Sequence, residues 1–333
     1  MISLRESLKN IGEPKSGRDI PSFPSGFHST PKSKSLRLAM NAMSSPNIEN
    51  WKKTDTREFD NKDWTVECQG ITTDKQYWYI SNNNISWFMT GTGPGMIPRP
   101  FAYSASKRGI YKFTLDFQFM GFAEYPLQLG ENSLQLGDHL GSLYFYEGKI
   151  YAGSQPFSRI AIFDTSPAFL GHADLKKGNL SELPQSGVSW CAFNPWDSYL
   201  YSSLHDNTNV IHAYDPKNDF NYVKSLALEG GTFSGVQSGV FSENGHLYLA
   251  LDDRQQTQEI RAFSMLNGAF LGKLKLDYTM EPPVSEEMEG ITILPMNISG
   301  NSVQVHVVIL DNDGLSSDDV QIMHFTVPDP NTL

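Results

Sequence analysis

A short apolar pattern recurs five times along the chain, in which an isoleucine is followed three positions later by phenylalanine or tyrosine. The five copies begin at Ile110, Ile160, Ile211, Ile260 and Ile322. Successive copies are separated by 50, 51, 49 and 62 residues. A period this regular indicates that the chain folds as repeated structural units.

Each copy belongs to a unit of short strand-like runs that are separated by turn residues. A run that ends in polar residues precedes every copy, as in "LYLALDD", and a further run such as "VQSGVFS" lies before it. Between these two runs, Asn244 and Gly245 form a strong hairpin signal. A fourth, weaker run follows the first four copies, as in "FLGKLKL". Four short strands in about 50 residues are typical of one blade of a β-propeller.

The repeats predict an all-β protein that consists of a single β-propeller over residues 46–333. We expect five four-stranded blades, with units at about 66–125, 137–175, 187–228, 236–276 and 287–327. The fifth unit lacks a fourth strand, so a strand near Asp55–Asp60 is expected to complete it and close the ring. A sixth, degenerate blade from residues 36–65 is the alternative.

The charge of the chain is unevenly distributed. The formal net charge is -11, yet residues 1–40 contain seven Lys or Arg and three acidic residues. Because this segment is also rich in Ser and Pro, we predict a flexible basic leader over residues 1–45. The acidic remainder offers no positive face to phosphate groups, so nucleic acid is not expected as a partner.

Composition also bears on location and redox state. No run of about 18 apolar residues occurs, so no membrane span is expected. Separately, we expect a monomer. The N-terminus lacks the apolar segment of a secretory signal, which predicts a cytoplasmic protein by default and leaves export by another route open. The two cysteines, Cys68 and Cys191, lie in apolar runs and are expected to be free, buried thiols.

Two related stretches, "QGIT" at residues 69–72 and "EGIT" at residues 289–292, mark the innermost strands of blades one and five. These two blades become neighbours when the ring closes. Counting back eight residues from the recurring tyrosine of each second strand aligns the inner strands with one another. The residues two and four positions before the aligned one then lie on one face of each strand, and in several blades they are polar. The candidates for an axial site are Glu67, Gln69, His139, Ser189, Ser238, Glu287 and Glu289.

Carboxylates that converge on one axis need a compensating charge or water, because a buried unpaired charge is costly. Ca²⁺ accepts six to eight oxygen ligands, so a calcium ion held by Glu287 and Glu289 is one explanation of this row. A solvated channel mouth without a metal explains the same residues and stays open as an alternative. The residues that we expect to contact a ligand are Glu67, Gln69, Ser189, Trp190, Gln237 and Ser238.

A second polar row follows the second strands and ends in the fifth blade with Asp311 and Asp313. The stretch "LDNDG" is not an EF-hand, because the twelfth position from Asp311 is Ile322 rather than glutamate. His139 and His205 are the candidate catalytic bases. Motifs of serine hydrolases, zinc proteases and phosphate-binding loops do not occur. The insertion at residues 87–109 is either a lid over the channel mouth or a variable surface loop.

The stretches "EGIT…VILDND" and "GIT…YWYISNN" together resemble the superfamily of NHL-like propellers, which includes the gluconolactonase/senescence-marker lactonases and the esterase-like phytases. Those proteins place an inner-strand Glu-Gly pair, with Asn and Asp from other blades, around a catalytic Ca²⁺. The resemblance implies that Glu289 is a calcium ligand and that Asp311 or Asp313 lies near a later acidic ligand. The residues that depart from such a ligand set are Gln69, His139 and Ser189.

Three functions stay open. We favour a binding protein whose polar axial site takes a small-molecule, glycan or protein ligand at the channel mouth. The alternative is a calcium-dependent hydrolase of lactones, esters or phosphoesters, in which the metal activates water and His139 or His205 is the base. The third is a lectin that stacks sugars on rim aromatic residues, for which the candidates are Trp190, Trp196 and Tyr199.

Overall fold

A computed structural model describes residues 45–60, 62–83, 85–90, 97–102, 108–125, 139–155, 157–252, 258–277, 286–311, 318–329 and 333. Within these residues the chain forms five four-stranded antiparallel sheets, each of which is one blade of a propeller. The predicted leader lies outside the described residues except for Ser45. Among the described residues, no helix is long and apolar enough to cross a membrane.

The strands follow one another in the order that the repeats predict. Strand β1 (Lys52–Phe59) comes first. The first blade and its insertion contain β2 (Cys68–Thr73), β3 (Tyr77–Asn82), β4 (Ile85–Thr90), β5 (Ile97–Ala102), β6 (Gly109–Thr114) and β7 (Phe119–Glu124). The second blade contains β8 (His139–Tyr146), β9 (Lys149–Gln155), β10 (Arg159–Asp164) and β11 (Phe169–Asp174).

The remaining blades continue the pattern. Blade three contains β12 (Ala192–Phe193), β13 (Leu200–Ser202), β14 (Val210–Asp215) and β15 (Asn221–Ala227). Blade four contains β16 (Val236–Phe241), β17 (His246–Asp252), β18 (Gln258–Ser264) and β19 (Phe270–Lys275). Blade five contains β20 (Glu286–Ile298), β21 (Asn301–Asp311) and β22 (Asp319–Thr326). In blade one, β4 and β5 leave the blade and pair with each other.

Strand β1 closes the ring by pairing antiparallel with β22 as the outer strand of blade five. This confirms the predicted closing strand and the count of five blades rather than six. The chain before β1 packs on blade four. Ile48 is completely buried, and its Cγ2 atom would lie 3.0 Å from a Cβ placed on Gly272 of blade four. The ring of Trp51 lies 5.1 Å from that of Tyr248. Residues that precede the closing strand therefore help to hold it in place.

In blades one and three the recurring tyrosine of the second strand is a core residue with a fixed polar partner. Tyr79 and Tyr201 are buried, and their hydroxyl groups donate to the carboxylates of Asp74 (2.8 Å) and Asp197 (2.7 Å) in the preceding turns. A buried hydroxyl needs such a partner, which explains why the tyrosine and the turn aspartate occur together. Both cysteines are free and buried, as expected.

Blade five has a histidine pair where the other blades have this tyrosine. His306 on β21 lies opposite His324 on β22, both are completely buried, and their Nδ1 atoms are 2.6 Å apart. His306 Nε2 is 2.8 Å from the carbonyl oxygen of Leu294, so this nitrogen must donate. His306 Nδ1 is then the acceptor and His324 Nδ1 the donor. His324 Nε2 has no hydrogen-bond partner in the described part of the chain.

Both imidazoles are consequently held in the neutral form. Burial, aided by His324 and Arg57, lowers the pKa of His306 to about 3 even though the Leu294 carbonyl opposes the shift. Burial and Arg57 lower the pKa of His324 to about 4, against the opposing charge of Asp55. The unfolded chain binds protons at both histidines below about pH 6.5, while the folded chain does not until about pH 3–4.

We therefore predict that the free energy of unfolding is highest above about pH 6.5 and falls as the pH is lowered toward 4, because protons then bind preferentially to the unfolded chain. Urea denaturation at a series of pH values measures this slope. The double variant His306→Gln/His324→Gln has no titrating group at these positions and should show a flatter profile. An unchanged slope in the double variant would contradict the prediction.

Candidate functional site

The inner strands of four blades contain an irregularity at corresponding places. In blades one, four and five the register shifts by one residue, so that Gln69, Gln237 and Glu289 are the extra residues of β-bulges. In blade two the shift falls between Leu140 and Leu143. A bulge interrupts the in–out alternation of a strand, so residues before and after it cannot be assigned to a face by counting.

The observed register also changes the correspondence between blades. The recurring tyrosine pairs with a residue eight positions earlier only in blade four, where Val240 lies opposite Tyr248. The distance is seven residues in blade one, from Thr72 to Tyr79, and nine in blade three. The inner hairpins thus differ in length. By this register the residues that correspond to one another at the bulge are Gln69, Gly141, Ser189, Gln237 and Glu289.

Gln69 and Glu289 are neighbours across the seam where the ring closes. A Cβ on Gly290 would lie 3.0 Å from the Cα atom of Gly70, so the "QGIT" and "EGIT" strands are in backbone contact. Glu289 is 2% exposed and Gln69 is 7% exposed. Burial and the nearby carboxylates of Glu289 and Asp318 raise the pKa of the Cys68 thiol. That thiol therefore stays protonated.

Two serines close the propeller axis one residue beyond the bulges. Ser142 of blade two and Ser238 of blade four are buried, and their hydroxyl oxygens are 2.6 Å apart. Ser238 Oγ also accepts a hydrogen bond of 3.2 Å from the backbone N–H of Ile291 in blade five. Blades two and four are separated by blade three, so this contact spans the axis. The polar mouth at the start of the inner strands therefore has a floor, which we call the serine floor.

Trp190 contributes to the same level but does not reach the mouth. Its side chain is completely buried, its indole N–H donates to Ser203 Oγ at 2.9 Å, and its ring occupies the space beside Gly239. No face of the ring is left to stack on a ligand in this structure. Trp196 and Tyr199 lie in the turn between β12 and β13, at the opposite end of the inner strand from the mouth.

The two bulged glutamines differ from their surroundings in having no hydrogen-bond partner. The side-chain amides of Gln69 and Gln237 form no hydrogen bond within the described residues. Ser189, at the same level, donates its hydroxyl to the carbonyl oxygen of Val236 at 3.0 Å. Each free amide offers two donors and one acceptor, so the mouth has unused hydrogen-bonding capacity.

Acidic and polar residues that follow the second strands mainly join one blade to the next. Asn83 forms two hydrogen bonds with the backbone of Leu140, at 2.7 and 2.9 Å. The corresponding residue of blade four, Asp252, accepts from the backbone N–H of Met288 at 2.8 Å. Such bonds fix the height of one inner strand against its neighbour. This part of the predicted rim row has a structural role.

The seam between blades five and one has a bond of the same kind. Asp318 Oδ2 accepts from the backbone N–H of Glu67 at 2.8 Å, and Glu67 has a left-handed backbone with φ of 50°. A non-glycine residue in that region carries a conformational cost. The Asp318 bond offsets this cost at the place where the inner strand of blade one begins.

The other predicted residues lie around the same mouth. His139 begins β8 opposite Gln155 and is half-buried. His205 is also half-buried, and its Nδ1 atom is 3.0 Å from the carboxylate of Asp206. Asp311 ends β21 opposite Glu286 and Asp319. Glu287 is 3% exposed. Asp313 lies outside the described residues.

The described residues contain no group of three or more His, Cys, Asp or Glu side chains placed to hold a metal ion. Carboxylates are present at the mouth, but several of them already accept backbone hydrogen bonds, as Asp252 and Asp318 do. Those oxygens stabilise the joins between blades.

Sequence reasoning missed the serine floor and the role of Asp318. Ser142 follows Gly141 in "HLGSLYF", and simple alternation places these two residues on opposite faces. The signal that could have identified it is the small residue that recurs at this level: Gly70, Ser142, Ser238 and Gly290. Asp318 precedes a strand and belongs to no repeated motif, so no local pattern indicated it.

The fold and the mouth define the chain as an all-β, five-bladed propeller with a polar cup at one end of its axis. No family model and no curated protein matches the chain. Among solved structures, the glutaminyl cyclase of Myxococcus xanthus is similar at 12% identity and a TM-score of 0.46, over 83% of this chain and 97% of that one. Hydrazine synthase of Kuenenia stuttgartiensis is similar at 11% identity and a TM-score of 0.40, over 78% of this chain and 57% of that one. Similarity at this level carries no inference about activity.

The serine floor yields a test with an internal control. Ser238→Ala removes the contact with Ser142 and leaves the buried N–H of Ile291 without an acceptor, which costs about 1–3 kcal/mol. Ser142→Ala removes only the contact between the two hydroxyls and should cost about 0.5–1.5 kcal/mol. Chemical denaturation measures both values. Equal losses in the two variants would contradict the assigned role of Ser238.

Proposed function

We propose that the protein binds a small polar molecule in the axial cup, through the bulged residues Gln69, Gln237 and Glu289. The observation that carries this proposal is the pair of free glutamine amides above the serine floor. Gln69 is 7% exposed and Gln237 is half-buried, so a ligand that displaces water from these amides carries a desolvation cost. A ligand that hydrogen-bonds to both amides would offset that cost.

The shape of the cup limits how a ligand enters. Because the Ser142–Ser238 contact lies across the axis, a molecule reaches the bulged residues from the end where the inner strands begin. The cup therefore suits binding of a compact ligand better than threading of a chain through the axis.

The charge of the cup limits the ligand's chemistry. Glu287 and Glu289 are almost completely buried near the mouth, and a carboxylate only accepts hydrogen bonds when it is ionised. Molecules rich in hydroxyl, amine or amide N–H groups fit such a lining, whereas anions are repelled. Glycans and other polyols are members of this class.

A screen of polyols, sugars, amides and amines by thermal shift tests the proposal. For a compound that raises the melting temperature, Gln69→Ala should weaken binding about three- to tenfold, because one hydrogen-bonding group is lost. Gln118→Ala is the matched control, since Gln118 is exposed in a turn of the outer part of blade one. Equal affinity in the two variants, or no stabilising compound in the panel, would count against the axial cup.

A calcium-dependent hydrolase is the second candidate. The observation that favours it is the burial of Glu287 and Glu289, two residues apart on one inner strand, in the blade that resembles the Glu-Gly strand of the calcium-dependent propellers. In such a hydrolase both glutamates and Asp311 or Asp313 would hold the ion, which would polarise the scissile bond and activate a water, and His139 or His205 would accept the proton of that water.

Calcium titration separates the two candidates. If the ion binds only the folded protein, the melting temperature should rise with millimolar Ca²⁺. A hundredfold excess of the ion over Kd adds about 2.7 kcal/mol to the free energy of unfolding. Glu289→Gln, which copies the residue of blade one, should abolish the rise, and an equal concentration of Mg²⁺ controls for ionic strength. Absence of a calcium effect, together with no hydrolysis of a lactone and ester panel, would eliminate the hydrolase.

A further inference from the structure

A second cavity lies far from the axial cup, on the outer wall where the closing strand β1 meets blade one. Its volume is about 480 Å³, which is within the range of about 300–1,000 Å³ typical of small-molecule sites. Six aromatic side chains from two stretches of the chain, residues 59–64 and 111–119, line it: Phe59, Trp64, Tyr111, Phe113, Phe117 and Phe119. We call it the aromatic pocket.

The rings hold one another in fixed orientations. Trp64 meets Phe113 edge-to-face with ring centroids 5.2 Å apart, and Phe59 lies 4.9 Å from Phe117. Trp64 and Phe113 are buried, whereas Phe119 at the rim is 59% exposed. The pocket therefore has a rigid base and an open aromatic edge, and aromatic rings favour a flat or apolar guest.

Phe117 is kept in place at a conformational cost. Its φ is 63°, in the left-handed region that bulky residues avoid. The corresponding residue of blade four is Gly268, with φ of 77°. It lies two residues before Phe270, the counterpart of Phe119. A phenylalanine at this position costs about 1 kcal/mol or more relative to a glycine. The ring stacks on Trp78 at an angle of 15° and forms one wall of the pocket.

Charged groups of both signs stand at the pocket. Lys62 and Asp63 are consecutive, exposed, and part of its lining. Their backbone is fixed, because Thr65 Oγ1 donates to the carbonyl of Lys62 at 2.8 Å and Asn82 Nδ2 donates to that of Asp63 at 3.1 Å. The guanidinium group of Arg57 lies 5.4 Å from the centre of the Phe117 ring. A molecule with one carboxylate and one ammonium group would find a partner for each.

We propose that the aromatic pocket binds a free aromatic amino acid as its zwitterion. The side chain enters among the rings, the carboxylate faces Lys62 and Arg57, and the ammonium group faces Asp63. This site is separate from the axial cup and does not depend on what the cup binds. Because β1 supplies Phe59, an occupant also links the closing strand to blade one.

Calorimetric titration of the full chain with L-phenylalanine tests the proposal. N-acetyl-L-phenylalanine lacks the ammonium group and L-phenylalaninamide lacks the carboxylate, so each should bind about tenfold more weakly or worse, the loss expected for one charge-assisted hydrogen bond. Asp63→Asn should weaken binding of L-phenylalanine but not of the N-acetyl compound. No binding of L-phenylalanine at millimolar concentration would overturn the proposal, as would equal affinity for the amide.

Two phenylalanines provide a matched pair of variants. Phe119→Ser removes the exposed ring at the rim and should weaken binding about tenfold without loss of folding. Phe270→Ser is the control, because Phe270 begins the outer strand of blade four in the same way, is 39% exposed, and does not line the pocket. An equal effect of the two substitutions on affinity would overturn the proposal.

Phe117→Gly separates a binding role from a packing role. The substitution relieves the left-handed strain but removes one wall of the pocket. We expect at least a tenfold loss of affinity for L-phenylalanine with a native-like melting transition. Full retention of affinity in this variant would show that the wall is not used and would contradict the proposed site. Glu289→Gln, at the axial cup, should leave this affinity unchanged.

Discussion

The structure depends on how closely five inner strands approach one another at the axis. Gly70 and Gly290 touch through their backbones, and the hydroxyl groups of Ser142 and Ser238 meet across the axis at 2.6 Å. In blades one, two, four and five, a larger side chain at this level would meet backbone or buried hydroxyl groups. Blade three has Trp190 at the same level, and its ring packs beside Gly239 of blade four. The need for small residues here explains both the recurrent glycine of the inner strand and the closed floor of the cup.

The same crowding accounts for the β-bulges. A bulge adds one residue to the inner strand and increases its local twist. The bulged residues Gln69, Gln237 and Glu289 are thereby displaced from the regular ladder next to the crowded level. Functional groups at the mouth are thus a by-product of the geometry that allows the strands to pack. The bulge geometry itself does not require these residues to be polar. The side-chain amides of Gln69 and Gln237 differ from other polar groups nearby because they form no hydrogen bond within the described residues.

Closure of the ring concentrates unusual features in blade five and its neighbours. Its outer strand comes from the N-terminal side of the chain, its second strand has His306 in place of the tyrosine, and Asp318 fixes Glu67 of blade one. The aromatic pocket lies at the same seam. A propeller that joins distant parts of its chain needs extra contacts at the join, since no covalent link holds those strands together.

The sequence alone determined the class of fold and favoured five blades with a closing strand near Asp55–Asp60, although it left a sixth blade open. These follow from a repeat of about 50 residues and from alternation within single strands, which are local properties. It also determined that "QGIT" and "EGIT" are equivalent and adjacent. Cys68 and Cys191 were correctly expected to be free and buried.

Only the tertiary structure decided which residues meet at the axis. The inner hairpins differ in length and contain bulges, so a fixed offset of eight residues aligns Ser238 with Gln69, whereas the register aligns Gln237 with it. The contacts of Ser142 with Ser238, of Asp252 with Met288 and of Asp318 with Glu67 join different blades. Such contacts arise from long-range packing, and nothing in the local pattern of either partner specifies them.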